Sequence, residues 1–288
     1  MKKIIILLMA LIIGTPVIKA EETYCCAVPE NLSSPIARGI TNCLGCNQVA
    51  KKAAKIAIIK VLKRNAEGDY KVKIDSFSAM DLKHGKFKSI EIEGQNINAR
   101  GIYVSSVMLK TLCEYNHVDY TQNPPVFYTD VPMSFSAVIT EDNLNKTLID
   151  LGYIKQLMDL NVGGISFFKI DNVIFKLKSN KIYLIAQMKA PILMGERTVR
   201  FTFSGKLNVE NGKIVLENLS SENLRNINMS KFVDVINSMN PFDIPLEIFK
   251  GNDTKLSVNN VRIIENKICV DGIIVAKRSC DEQTKEEK

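Results

Sequence analysis

Tryptophan is absent from the chain and histidine occurs twice, at His84 and His117, each among polar neighbours. Neither histidine has a partner at the H-x-x-x-H or H-E-x-x-H spacing that sets two imidazoles on one helix face, so both read as solvated surface rather than metal ligands. No G-x-S-x-G elbow, Walker-type phosphate loop or dinucleotide-binding glycine fingerprint is present. The chain therefore reads as a non-enzyme without cofactor or metal. Blocks of like charge are missing as well: lysines are spread along strand faces with no run of five, which argues against nucleic-acid binding. A few basic side chains near a membrane contribute on the order of 1 kcal/mol each, so peripheral contact with a membrane surface stays compatible with this balance.

The first twenty residues have the layout of a secretory leader. Lys2 and Lys3 precede the apolar run Ile4 to Ile13, and Gly14, Pro16 and Ala20 precede Glu21-Glu22. The apolar stretch is short for a membrane-spanning helix. An exported protein, periplasmic or otherwise associated with the cell envelope, is expected. The segment after Ala20 carries a net charge of +4, against +7 for the whole chain. Its organisation reads as a Cys-rich segment over 21–48, one domain over 49–280 and a charged tail over 281–288.

From Phe87 to Val275 apolar residues recur at every second position. Val199, Phe201, Phe203, Leu207 and Val209 share one face of a strand whose other face carries Arg200, Thr202, Ser204, Lys206 and Asn208. Asn211-Gly212 tolerates the positive φ angles of a two-residue hairpin and returns the chain through Ile214 to Leu219. Val173, Phe175 and Leu177 turn through Ser179-Asn180-Lys181 into Ile182, Leu184, Ala186 and Met188 in the same way. The pattern recurs in Val131-Met133-Phe135-Ala137-Ile139, Leu256-Val258 and Ile268-Val270. One wet and one dry face per strand means antiparallel sheets, and the class is α+β.

Three helices are expected. Asn47 to Arg64 carries a broad stripe of Val49, Ala50, Ala53, Ala54, Ala57, Ile58, Val61 and Leu62, suited to lying against a sheet; a free amphipathic helix on a membrane surface is the rival reading, weaker because large anchors such as Trp are absent. A second follows Thr140, whose hydroxyl caps Glu141-Asp142-Asn143, and presents Leu144, Leu148, Leu151 and Leu157. A third runs from Ser230 to Asn240-Pro241.

Seven cysteines in an exported chain point to disulfides. Cys25, Cys26, Cys43 and Cys46 crowd together near the start and are the bridge candidates. Cys43-Leu44-Gly45-Cys46 also has the C-x-x-C spacing of a thiol-disulfide oxidoreductase, but the strand that precedes such a motif is not legible. Adjacent Cys25-Cys26 is poor spacing for two ligands of one zinc. Cys269 either pairs with Cys113 or is buried alone.

Three stretches carry a family resemblance: Lys86 to Ile97 followed by Gly101 to Ser106; Val131 to Asn145, a strand entering a helix with an acidic first turn and Leu-Asn; and Leu256 to Gly272. Together they resemble the exported LmeA-like phospholipid-binding family, also called domain of unknown function 2993, over roughly residues 50 to 278. The resemblance implies a long, strongly curved antiparallel sheet wrapped partly around two or three helices, as in tubular lipid-binding domains. It also implies phospholipid as the partner, with acyl chains in an apolar groove on the concave face. The candidate lining residues are Phe135, Phe175, Leu177, Leu184, Phe201, Phe203, Phe232 and Phe242. Two other functions fit the residues: an envelope assembly protein that pairs through an exposed sheet edge, or a thiol-disulfide enzyme using Cys43 and Cys46.

Overall fold

A computed structural model describes residues 24, 26–43, 45–119, 126–152, 154–155, 169–192, 195–221 and 254–278. The expected leader, Cys25, Leu157, the expected helix from Ser230, Phe232, Phe242, Cys280 and the expected tail lie outside them, as does the side chain of Phe201. The elements are, in order, α1 (Pro35–Cys43), α2 (Cys46–Asn65), β1 (Glu67–Asp75), α3 (Ala79–Lys83), β2 (Lys86–Phe87), β3 (Ser89–Ala99), β4 (Ile102–Thr111), β5 (Asn116–Asp119), β6 (Val126–Phe127) and β7 (Val131–Thr140). They continue with α4 (Glu141–Asp150), β8 (Lys169–Lys178), β9 (Lys181–Ile192), β10 (Gly195–Glu210), β11 (Lys213–Ser221), β12 (Thr254–Ile264) and β13 (Lys267–Ala276).

The expected α+β class holds, and every strand pair is antiparallel. The strands expected in one long sheet are divided among three. Six form the order β1-β3-β4-β7-β13-β12, four form β11-β10-β9-β8, and β2-β5-β6 make a small third sheet. Each order is linear, so the sheets are open ones with edge strands.

Hairpin chemistry at the expected places sets the registers. Ser179 and Asn180 have φ of 51° and 59°, and Asn211 and Gly212 have 53° and 74°, the positive pair that a two-residue turn requires. Glu265-Asn266 repeats this between β12 and β13, with φ of 48° and 61°. Register then decides which side chains meet. On β7 and β13, Ile139 faces Ile268, Ala137 faces Val270, Phe135 faces Gly272 and Met133 faces Ile274. Gly272 is small for a reason: a Cβ there would stand 2.6 Å from Cε1 of Phe135.

The six- and four-stranded sheets meet along two seams. At one, the amide of Val258 on β12 donates to Gly212 O in the β10–β11 turn at 3.0 Å. At the other, helix α4 lies along edge strand β8. Asn145 Oδ1 accepts from the Phe175 amide and its Nδ2 donates to the Phe175 carbonyl, both at 2.9 Å, while Glu141 Oε2 accepts from the Leu177 amide at 3.0 Å. One asparagine thus takes the place of a neighbouring strand and blunts the edge. The helix is fixed at its start by a capping box, Thr140 to the Asn143 amide and Asn143 to the Thr140 amide.

The N-terminal segment is fastened beside the third sheet. Asp81 is 2% exposed. It accepts from the Ser33 amide at 2.7 Å, the Ser33 hydroxyl at 2.8 Å and the Ser78 hydroxyl at 2.6 Å. Burial alone would raise this carboxyl's pKa, yet the hydrogen bonds from Ser78 and Ser33 hold it below the usual carboxylate range. Where α2 leads into β1, the Tyr70 hydroxyl donates to Ala66 O at 3.2 Å, and burial pushes its pKa up to about 12.

Candidate functional site

The dry strand faces bring five of the candidate lining residues into one apolar cluster. Phe135 on β7, Phe175 and Leu177 on β8, Leu184 on β9 and Phe203 on β10 join Leu256, Val258 and Ile274 there. Exposure of the five runs from 1% at Leu177 to 6% at Phe175, so each is enclosed by protein. Alternation accounts for the placement: Ile174, Lys176 and Lys178 point outward between the buried positions of β8. The segment binds acyl chains only if hydrocarbon replaces side-chain contacts that are already made.

A depression of about 410 Å³ opens at the β2–β5 end, lined by Lys83, His84, Gly85, Lys86, His117, Asp119 and Tyr128. The sequence set the two histidines apart, each alone; the fold places both on this one wall. The reason is local. Gly85, with φ of +78°, turns the chain out of α3, and its carbonyl accepts from the Val118 amide at 3.0 Å, drawing β5 alongside. His117 stacks against Tyr128 with centroids 4.5 Å apart. Burial, then the charge of Lys86, lower the His117 pKa below its ordinary value. Among the described residues no group of three His, Cys, Asp or Glu side chains is placed to hold a metal ion.

Cysteine pairing departs from the expected crowding. Cys26 is bonded to Cys113, 87 residues away, with Cα atoms 5.4 Å apart. Cys113 thus does not pair with Cys269, which is a half-buried thiol on β13, and Cys46 is exposed. The physical cause is the path of the N-terminal segment. Lys86 Nζ donates to Asn31 O at 2.7 Å and the Tyr115 hydroxyl reaches Glu30 O at 3.4 Å, which lays Cys26 beside the β4–β5 turn. The C-x-x-C motif joins two helices: Cys43 ends α1 and Cys46 begins α2, with α1 in the place of a preceding strand.

Comparison with known proteins returned nothing. No family model, curated protein or solved structure matches the chain.

The remaining surface of note is α2, whose apolar stripe divides in two. Leu62 is buried, and Ala50, Ala54, Ile58, Ile59 and Val61 pack against the core. Val49, Ala53, Ile56 and Ala57 instead face outward with Lys52, Lys60, Lys63 and Arg64. Ile56, Ile59, Lys60, Lys63 and Arg64 line a shallow apolar depression of about 510 Å³. A broad stripe of small residues does not say how wide the supporting sheet is, so the division into a packed and an exposed part is not written in the stripe itself.

Proposed function

We propose that this protein is an exported phospholipid-binding or lipid-transfer protein of the cell envelope, which takes acyl chains between the dry faces of its two larger sheets. In this reading the open sheets curve about the lipid as in tubular lipid-binding domains, and contact with the membrane is peripheral. The observation that carries it is the single apolar cluster spanning both sheets, which are joined at separate seams. The resemblance of Val131 to Asn145 and of the β12–β13 ladder to the LmeA-like family supports the same reading. The Cys26–Cys113 bridge fits an oxidising compartment. No helix of the described residues is long and apolar enough to cross a membrane.

Energetics favour exchange over storage. Each methylene withdrawn from water is worth about 0.8 kcal/mol, but a bilayer offers nearly the same, so net transfer free energy is small and selectivity falls to groove shape and polar contacts. Native mass spectrometry of protein recovered from the envelope tests the proposal. A phospholipid adduct lost on delipidation is the expected result. One observation favours a second reading, an envelope assembly protein with a filled interior: the five described lining residues are enclosed to 6% exposure or less. Lipid-free protein that co-purifies with another chain would decide for that reading.

A further inference from the structure

Basic charge in this molecule is segregated, although no run of five lysines marks it. Between Asn31 and Ala66 there are seven Lys and Arg residues and no carboxylate. The segment after Ala20 has a net charge of only +4, so the rest of it carries −3. The cations of α2 fall on two sides. Lys51 turns inward to Asp75 at 3.0 Å. Lys52, Lys60, Lys63 and Arg64 are exposed; Lys52 lies three residues after Val49, and Lys60, Lys63 and Arg64 lie four, seven and eight after Ile56, the spacing of one helix face.

That face is apolar as well as basic. Val49 is 70% exposed and Ile56 58%, and the neighbouring α1 leaves Ile36 and Ile40 at 77% and 54%. A protein partner of acidic character would satisfy the lysines but leave these aliphatic side chains in water. A polynucleotide would do the same, and the face holds no aromatic residue for stacking on bases. An anionic bilayer surface satisfies both sets at once: ammonium groups reach phosphate while Val49, Ile56 and the α1 isoleucines enter the headgroup–acyl boundary.

We propose that the outward face of α2, together with the exposed isoleucines of α1, docks the protein onto a phospholipid surface of net negative charge. The inference deepens the lipid-carrier reading, on which it rests, by naming the surface that approaches the donor or acceptor membrane. Docking brings the sheets to the bilayer without inserting a spanning helix.

Co-sedimentation of envelope-purified protein with vesicles of phosphatidylglycerol and phosphatidylcholine, against phosphatidylcholine alone, tests it. The protein should prefer the anionic vesicles and lose that preference in high salt. The triple variant K52E/K60E/K63E should weaken binding by roughly a hundredfold, and V49S/I56S by roughly tenfold. All five positions are exposed or on the solvent face, so both variants should keep the wild-type circular dichroism and thermal midpoint. Equal binding to neutral and anionic vesicles, or unchanged binding by both folded variants, overturns the proposal. So does a dimer dispersed by V49S/I56S in protein that ignores vesicles, or tight oligonucleotide binding that V49S/I56S leaves intact. Mass spectrometry of the same samples separates the two readings. Docking without any bound lipid would sink the carrier function and keep the docking face, whereas bound lipid without docking would do the reverse.

Discussion

From Cys26 to Ala66 the chain is fastened at points, whereas from Glu67 to Ala276 it is fastened over area. The N-terminal arm is held by one disulfide, by the Asp81 carboxylate shared by Ser33 and Ser78, by Lys86 and Tyr115 on the carbonyls of residues 30 and 31, by the Lys51–Asp75 pair, and by the inner half of a helix whose outer half is exposed. The sheets depend on ladders of alternating residues that exclude water along their whole length. The contrast teaches that the two regions fail separately: the arm comes away with its fasteners, the body with its interior.

The largest expected effect is in the body. Phe135→Ala empties the space over Gly272 and should cost about 4 kcal/mol, read as a lower urea midpoint for the whole domain. Next is the disulfide. Replacing Cys26 and Cys113 by serine should cost about 3 kcal/mol, with amide exchange rising in α1 and the segment before it while β7, β10 and β13 stay protected. Uniform acceleration of exchange would erase the distinction between the regions. Asp81→Ala strands two hydroxyls and an amide and should cost about 2 kcal/mol, again felt first in the arm. Its pH dependence has a fixed sign. The folded carboxyl titrates below its unfolded value, so its contribution is present above the ordinary carboxylate pKa and is lost as pH falls through the folded one. Asp81→Ala should therefore shrink the acid-induced loss of stability, which Asp75, Glu91 and Asp130, also lowered, continue to produce. The smallest effect is Asn145→Ala, about 1 kcal/mol, seen as faster amide exchange at Phe175.

The body was largely legible in the sequence. Period-two alternation located β7 to β13, and Asn211-Gly212 and Ser179-Asn180 located their turns, because both signals are local. Thr140 announced α4 by the same logic. What stayed hidden depends on distant partners. Sheet membership is one case, since nothing in β8 or β12 alone says that a helix or a turn, not another strand, lies beside it. The pairing of Cys26 with Cys113 is another, set by Lys86 and Tyr115 grasping carbonyls of residues 30 and 31. The strand β1 was passed over although Tyr70, Val72 and Ile74 carry the same period-two signal, and the short α1 because Pro35 to Cys43 holds few large apolar residues. The convergence of His84 and His117 needed the Gly85 turn, visible only once the backbone was placed.

The bridge between positions 26 and 113 also imposes a timetable. A polypeptide emerges from its amino end, and 87 residues must follow the first thiol into the open before the second can meet it. Until the β4–β5 turn has been delivered, the leading helices are held only by Asp81 and the inner face of α2, and any oxidant that arrives early finds the wrong sulfur for company.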